Sequence, residues 1–247
     1  MKISPDEIIF WEMVIGPFGT FHLNATIVFT WVVMAVLTIS ASFVTRHLVT
    51  GPALTRRQNI LEVLVLTLRD QIRDVSQQEP GPFLPFVGTL FVFIAASNLL
   101  AIIPGYRPPT SSLSTTTALA ICVFVAVPIF GITERGVRGY LSTYLRPTAF
   151  MLPFNVISEL SRTIALAIRL YGNVMSGTVI VAILVGIAPF FFPIALQLLG
   201  LLTGLVQAYI FAVLSMVYIA SATVGRYGET SGAADKASSI TAKRRNK

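Results

Sequence analysis

Arg169 lies in the run Ile164-Ala-Leu-Ala-Ile-Arg-Leu-Tyr-Gly-Asn173, near the middle of an apolar stretch, 153–187, that is long enough to cross a lipid bilayer. An arginine at the centre of a membrane helix costs about 3 to above 10 kcal/mol, depending on how far water and bilayer deformation reach it. A penalty of that size must be offset, and function is the leading reason to keep it. At about 100° per residue, Asn155, Glu159, Arg162, Leu166, Arg169, Asn173 and Gly177 fall within about 40° of one line along this segment. Two readings stand for Glu159 and Arg162. Spaced three apart, they can neutralise each other on one helix face, or they can belong to a polar path. Arg169 has no acidic residue three or four positions away, and no other apolar segment carries a carboxylate. Its counter-charge is therefore expected from a partner subunit. Arginine suits the task better than lysine, because it keeps its charge on desolvation and offers a planar fork to carboxylates.

A second set of polar groups lies in the last apolar segment, where Gly200, Gly204, Gln207, Phe211, Ser215 and Tyr218 share a face. Gln207 is near the midpoint of its segment, as Arg169 is of its own. Two antiparallel helices would present an arginine and an amide at similar depth, with the glycines permitting close approach.

Membrane-spanning elements have to position these groups. The chain has 247 residues, 54% hydrophobic and only 12% charged, a balance foreign to soluble domains of this size. A spanning helix needs about 20 apolar residues, and five segments qualify, at roughly 24–44, 85–104, 116–133, 153–187 and 194–223. The fold expected is an all-α integral membrane protein whose last two segments form a long hairpin. Those two are too long to stand upright in a hydrocarbon core of about 30 Å, so strong tilting is expected. The spanning domain is 24–224, between an outer N-terminal segment, 1–23, and a basic tail, 225–247.

Orientation follows from the 18 basic residues. With the N-terminus outside, fourteen fall on the inner side, and only Lys2 and Arg107 remain outside, Arg162 and Arg169 being within the membrane. Enrichment of Lys and Arg in cytoplasmic loops makes this N-out, C-in arrangement the expected one. The net charge of +7 is then topogenic and needs no nucleic-acid partner. The N-terminus lacks the pattern of a signal or transit peptide. Cys122 is single, so no internal disulfide is possible, and packing is its expected role. His22 and His47 lack partners at ligand spacing, so no metal site is expected, and no cofactor motif is read.

Between the first two spans, 59–75 has the spacing of an amphipathic helix on the membrane surface, with Ile60, Val63, Leu64 and Leu68 on its apolar side. Gln77-Gln-Glu-Pro-Gly-Pro82 breaks the chain after it, and Pro104-Gly-Tyr-Arg-Pro-Pro-Thr-Ser-Ser112 forms a tight polar link. Matched halves, the sign of many secondary transporters, are not found.

Arg169-Leu-Tyr-Gly-Asn173 preceded by Glu159-Leu-Ser-Arg162, the later Gln207-Ala-Tyr-Ile-Phe-Ala-Val-Leu-Ser-Met-Val-Tyr218, and Asn98-Leu-Leu-Ala-Ile-Ile-Pro-Gly105 before a Pro-Pro-Thr-Ser loop together resemble the a subunit of F-type ATP synthases. The likeness covers about 86–222 in the family's order. It implies a bacterial plasma-membrane stator beside a rotating ring of c subunits, held by a b-subunit peripheral stalk and the remaining synthase subunits. An ionised ring carboxylate cannot turn into lipid, so rotation requires its neutralisation. Neutral sites travel through lipid, ionised sites face Arg169, and two half-channels load and unload them. The resemblance places Asn173 and Gln207 on the ion path and Arg162 at an often basic position. It also marks departures: Thr178 and Gly200 stand where many members carry acids or histidine, and Ala101 where some carry an acid. These fit a water-filled route, a sodium-coupled machine or a divergent N-type ATPase. A secondary transporter with an anion-binding arginine, and an intramembrane enzyme, are the readings from other classes. The first lacks matched halves, and the second lacks the HExxH, Gly-x-Ser-x-Gly or paired mid-membrane acids that it would need.

Overall fold

The computed structural model describes residues 9–14, 20–46, 56–76, 80–103, 106–145, 151–187 and 192–223. The basic tail 225–247, Lys2, His47, Arg146 and the turn at Pro189 lie outside the described residues. A short antiparallel hairpin of β1 (Ile9–Val14) and β2 (Thr20–Asn24) comes first. Its aromatic and β-branched content suits strands, and β2 runs directly into α1. The remaining elements are helices: α1 (Ala25–Thr45), α2 (Arg56–Ser76), α3 (Leu84–Leu99), α4 (Leu113–Leu145), α5 (Met151–Ile187) and α6 (Phe192–Thr223). The all-α character expected from the sequence therefore holds for the spanning region, and the N-terminal hairpin is an addition to it.

Among the described residues, five helical stretches are long and apolar enough to cross a membrane: Ala25–Phe43, Leu84–Ile102, Leu113–Glu134, Pro153–Gly186 and Ile194–Thr223. They coincide with the five expected segments to within a few residues. At 37 and 32 residues, α5 and α6 are about 55 and 48 Å long at about 1.5 Å per residue. Pro153 falls in the first turn of α5, where its missing N–H breaks no helical bond.

Helix α6 is the hub. One core cluster joins Ile72 of α2, Phe83 and Val87, Ala126 and Val127 of α4, and Ala212, Met216 and Ile219 of α6. A second joins Leu90 and Ile94 of α3, Ala120 and Val123 of α4, Leu166, Ala167 and Leu170 of α5, and Ala208 and Phe211 of α6. Phe130 of α4 packs edge-on against Phe83 and Phe86, with ring centroids 5.3 and 6.0 Å apart.

Two expectations change. The packed side of α2 keeps Leu64 and Leu68 of the apolar side read in the sequence but continues to Ile72 rather than including Val63, which is exposed; the side chain of Ile60 lies outside the described residues. This helix is docked on the bundle through its second half, with Leu68 3.9 Å from a Cβ built on Gly88. Helix α4 is also longer than the span it contains. Gly136 takes a left-handed φ of 73°, which breaks the helical path and lets Tyr140 return onto Gly131.

Candidate functional site

Helix α5 binds the bundle by a narrow stripe. Leu166, Ala167 and Leu170 are buried against α3, α4 and α6, whereas Phe154, Ile157, Ile164, Ile168, Ile180 and Ile183 are exposed. Of the 34 residues of Pro153–Gly186 only Thr163, Leu166, Ala167 and Leu170 are buried, the smallest share of the five spans. Such an apolar surface is either lipid-facing or reserved for a partner.

Along the edge of that surface runs the polar line. Leu166 turns into the core, only 1% exposed, so the line marks the border between packed and open sides of α5. Arg162 and Arg169 are exposed and Glu159 and Asn173 are half-buried. Arg169 has no hydrogen bond, ion pair or ring contact with the described residues. Arg162 is different: its guanidinium carbon lies 5.7 Å from the centre of the Tyr218 ring on α6, within the range of a cation–π contact.

One interhelical amide bond marks the level at which the two long helices meet. The Nδ2 of Asn173 donates to the carbonyl of Thr203 at 3.2 Å. Because α5 and α6 are antiparallel, one turn back along α5 gives Arg169 and one turn on along α6 gives Gln207. The two therefore stand at the same depth, as the positions of their segments predict. Gln207 is 6% exposed, and its Nε2 has no hydrogen-bond partner among the described residues. A buried amide left unsatisfied costs about 1–3 kcal/mol, so this group is positioned for something other than packing.

On the opposite side of Asn173 from Arg169, a cavity of about 580 Å³ opens toward the α3–α4 link. It is lined by Asn98 and Asn173 at the end nearest Arg169 along α5, and by Gly177, Thr178, Gly200, Gln197, Tyr106 and Arg107 beyond them. Asn98 is buried, donates through Nδ2 to the Gly204 carbonyl at 3.0 Å and accepts from the Thr110 hydroxyl at 3.2 Å. Gln197 donates to the Ala101 carbonyl at 2.9 Å, tying the end of α3 to α6 beside the cavity. Tyr106 stacks edge-on with Phe29 of α1 at 5.1 Å, and burial pushes its phenol well above the ordinary tyrosine range.

The two glycines of α6 differ from expectation and from each other. A Cβ on Gly204 would lie 3.0 Å from Asn98 Cγ, so Gly204 does permit a close helix approach, whereas a Cβ on Gly200 would meet nothing within 4 Å. Gly200 widens the cavity instead. The three positions singled out for their missing acids, Ala101, Thr178 and Gly200, all line this one space. The structure brings Asn173 to Thr203, one turn from both Arg169 and Gln207, and sets Arg162, one turn from Glu159, against the ring of Tyr218. Sequence reasoning did not foresee Asn98 joining them, because the contact spans 106 residues; an asparagine inside an apolar span was the available signal.

A chain with five candidate membrane spans, one of them carrying an arginine that has no partner among the described residues and stands level with a buried amide, defines a polytopic membrane subunit built for ion movement. Residues 27–220 match the family model described as ATP synthase A chain. The chain is 60% identical to "ATP synthase subunit a 2" of Acaryochloris marina, over 90% of this chain and 93% of that relative. It is 57% identical to "ATP synthase subunit a" of Albidiferax ferrireducens, over 92% of this chain and 96% of that one. A Chlorobium luteolum relative, "ATP synthase subunit a 1", is 56% identical over 92% of this chain and 99% of its own length. The chain belongs to the ATP synthase A chain family.

Proposed function

We propose that Arg169, Asn173 and Gln207 form the ion-transfer point of a stator subunit that conducts protons past a rotating ring of carboxylate-bearing c subunits, coupling proton flow to ATP synthesis or hydrolysis. The observation that carries this reading is the position of Arg169: exposed on the least buried span, at the depth of buried Gln207, with no partner among the described residues.

The mechanism follows from charge and solvation. Facing lipid alone, Arg169 would carry the full cost of a mid-membrane cation. A carboxylate on a partner's helix offsets that cost, and its own ionised form is tolerated only there. Each ring site must take up a proton before it leaves the guanidinium for lipid. With the basic loops placed in the cytoplasm, the cavity between Asn98, Asn173 and Arg107 is the outer access route. Asn98, Asn173, Thr178 and Gln197 place amide and hydroxyl groups along its otherwise largely apolar lining, where they support a file of water in place of acidic side chains. Glu159, Arg162 and Tyr218, toward the other end of the hairpin, mark the inner route. Arg169, between the two, keeps protons from passing straight across. A potential of 100 mV adds about 2.3 kcal/mol per charge, which biases the direction of rotation. The b-subunit stalk and the remaining synthase subunits hold this stator against the turning ring, in a bacterial plasma membrane with the N-terminus outside and the C-terminus inside.

The test is ATP-driven proton pumping by inverted vesicles carrying the complete synthase with Arg169→Ala. Pumping should be abolished while the complex still assembles. Pumping at the wild-type rate would remove Arg169 from the mechanism.

A further inference from the structure

Gly204 and Thr203 are consecutive on α6, and each carbonyl accepts a side-chain amide from a different helix. Asn98 of α3 reaches Gly204 at 3.0 Å, and Asn173 of α5 reaches Thr203 at 3.2 Å. Thr110, fully buried in the link after α3, donates to Asn98 Oδ1 and fixes the orientation of that amide. Three helices and one loop thus meet in a single polar node. The node is the floor of the outer cavity, since every other lining residue of α5 and α6 lies on its far side from Arg169. Arg169 and Gln207 begin one turn below it.

From this placement, and resting on the functional reading above, we infer that Asn98 is a positioning residue that seals the outer half-channel just above the arginine. The seal needs both halves of its geometry. The amide fills the space that a side chain on Gly204 would otherwise take, because a Cβ there would lie 3.0 to 3.1 Å from three atoms of Asn98. The hydrogen bond to the Gly204 carbonyl then holds α3 against α6 at that point. Gln207, one turn further along α6, inherits its depth and rotation from the clamp. Without it, water in the cavity gains a path down the α3–α6 seam to the level of Arg169, and protons already released to the outer side can reload ring sites there. The consequence is slip: ATP is hydrolysed and the ring turns, but fewer protons are moved per ATP. A residue that served only to pack helices would give less assembled complex with unchanged coupling.

The experiment measures the ratio of proton pumping to ATP hydrolysis in inverted vesicles carrying the complete synthase, normalised to the assembled complex. Asn98→Ala should lower that ratio about tenfold, the scale of one buried hydrogen bond lost at a transfer point. The double variant Asn98→Ala/Gly204→Ala returns a methyl group to the vacated space but no donor, and its ratio should stay low. An unchanged ratio in the single variant, or recovery in the double variant, overturns the assignment. Should Asn98→Ala fail to assemble, Thr110→Val removes only the bond that orients the amide. It should lower the ratio by a smaller factor, about threefold, and an unchanged ratio there is equally fatal. The two readings fail separately. Pumping retained in Arg169→Ala defeats the proposed function, whereas full coupling in Asn98→Ala with a dead Arg169→Ala defeats only the role of Asn98.

Discussion

Replacing Gln207 by leucine should move stability and transport in opposite directions. The side chain is 6% exposed and its Nε2 has no hydrogen-bond partner among the described residues. Leaving such a donor unsatisfied costs about 1–3 kcal/mol. Leucine is of similar volume, removes the orphaned polar group and places apolar surface beside Ala208 and Phe211 of the same core. Volume-conserving changes of this kind cost less than about 1.5 kcal/mol in packing, so the purified subunit in detergent should be as stable as the wild type or more stable by about 1 kcal/mol. Proton transport should nevertheless fall, because the amide opposite Arg169 is gone, though less completely than in Arg169→Ala. Denaturant titration of the purified subunit gives the first quantity. Pumping by inverted vesicles gives the second. Equal losses of stability and transport would refute the reasoning, since they would make Gln207 a structural group whose bond had been misread. Wild-type transport in Gln207→Leu would remove it from the ion path.

Asn173→Leu removes the amide bond to Thr203 and should cost about 1 kcal/mol of α5–α6 association, read as a several-fold loss of pumping with assembly retained. Gly131→Ala drives a methyl group to within 2.6 Å of the Tyr140 ring. Overpacking of that order costs about 1–3 kcal/mol, so thermal stability should drop, and Tyr140→Ala in the same chain should restore it. Tyr106, in the link after α3, has its phenol pushed upward by burial. The fold therefore favours the neutral form, and this contribution is fully present below the unfolded value of about 10. It is lost as pH rises through the folded value. The phenolate absorbance of the wild type should thus show one late tyrosine step that Tyr106→Phe lacks.

Much of this molecule was legible in the chain because lipid imposes a blunt rule. A backbone in hydrocarbon must satisfy its own hydrogen bonds, so apolar runs of sufficient length become helices and their ends can be read within a few residues. Arg169 was legible for the same reason, since a permanent cation in such a run needs a counter-charge that no other span supplies. Periodicity placed Asn173 on the same line and Gln207 at matching depth. Rotation about a helix axis was not legible. The same spacing that aligned Leu166 with Arg169 could not say which of them faced the core, and on α2 it named Leu64 and Leu68 of the packed side but also Val63, which is exposed, because burial depends on neighbours that the local sequence does not name. The two α6 glycines looked alike, yet only Gly204 touches another helix while Gly200 borders a cavity. That cavity, the clamp from Asn98 to Gly204 and the fold-back of α4 at Gly136 are properties of segments brought together from far apart. Composition and period fixed which groups had to be in the membrane. Only the packing of six helices determined which of them meet.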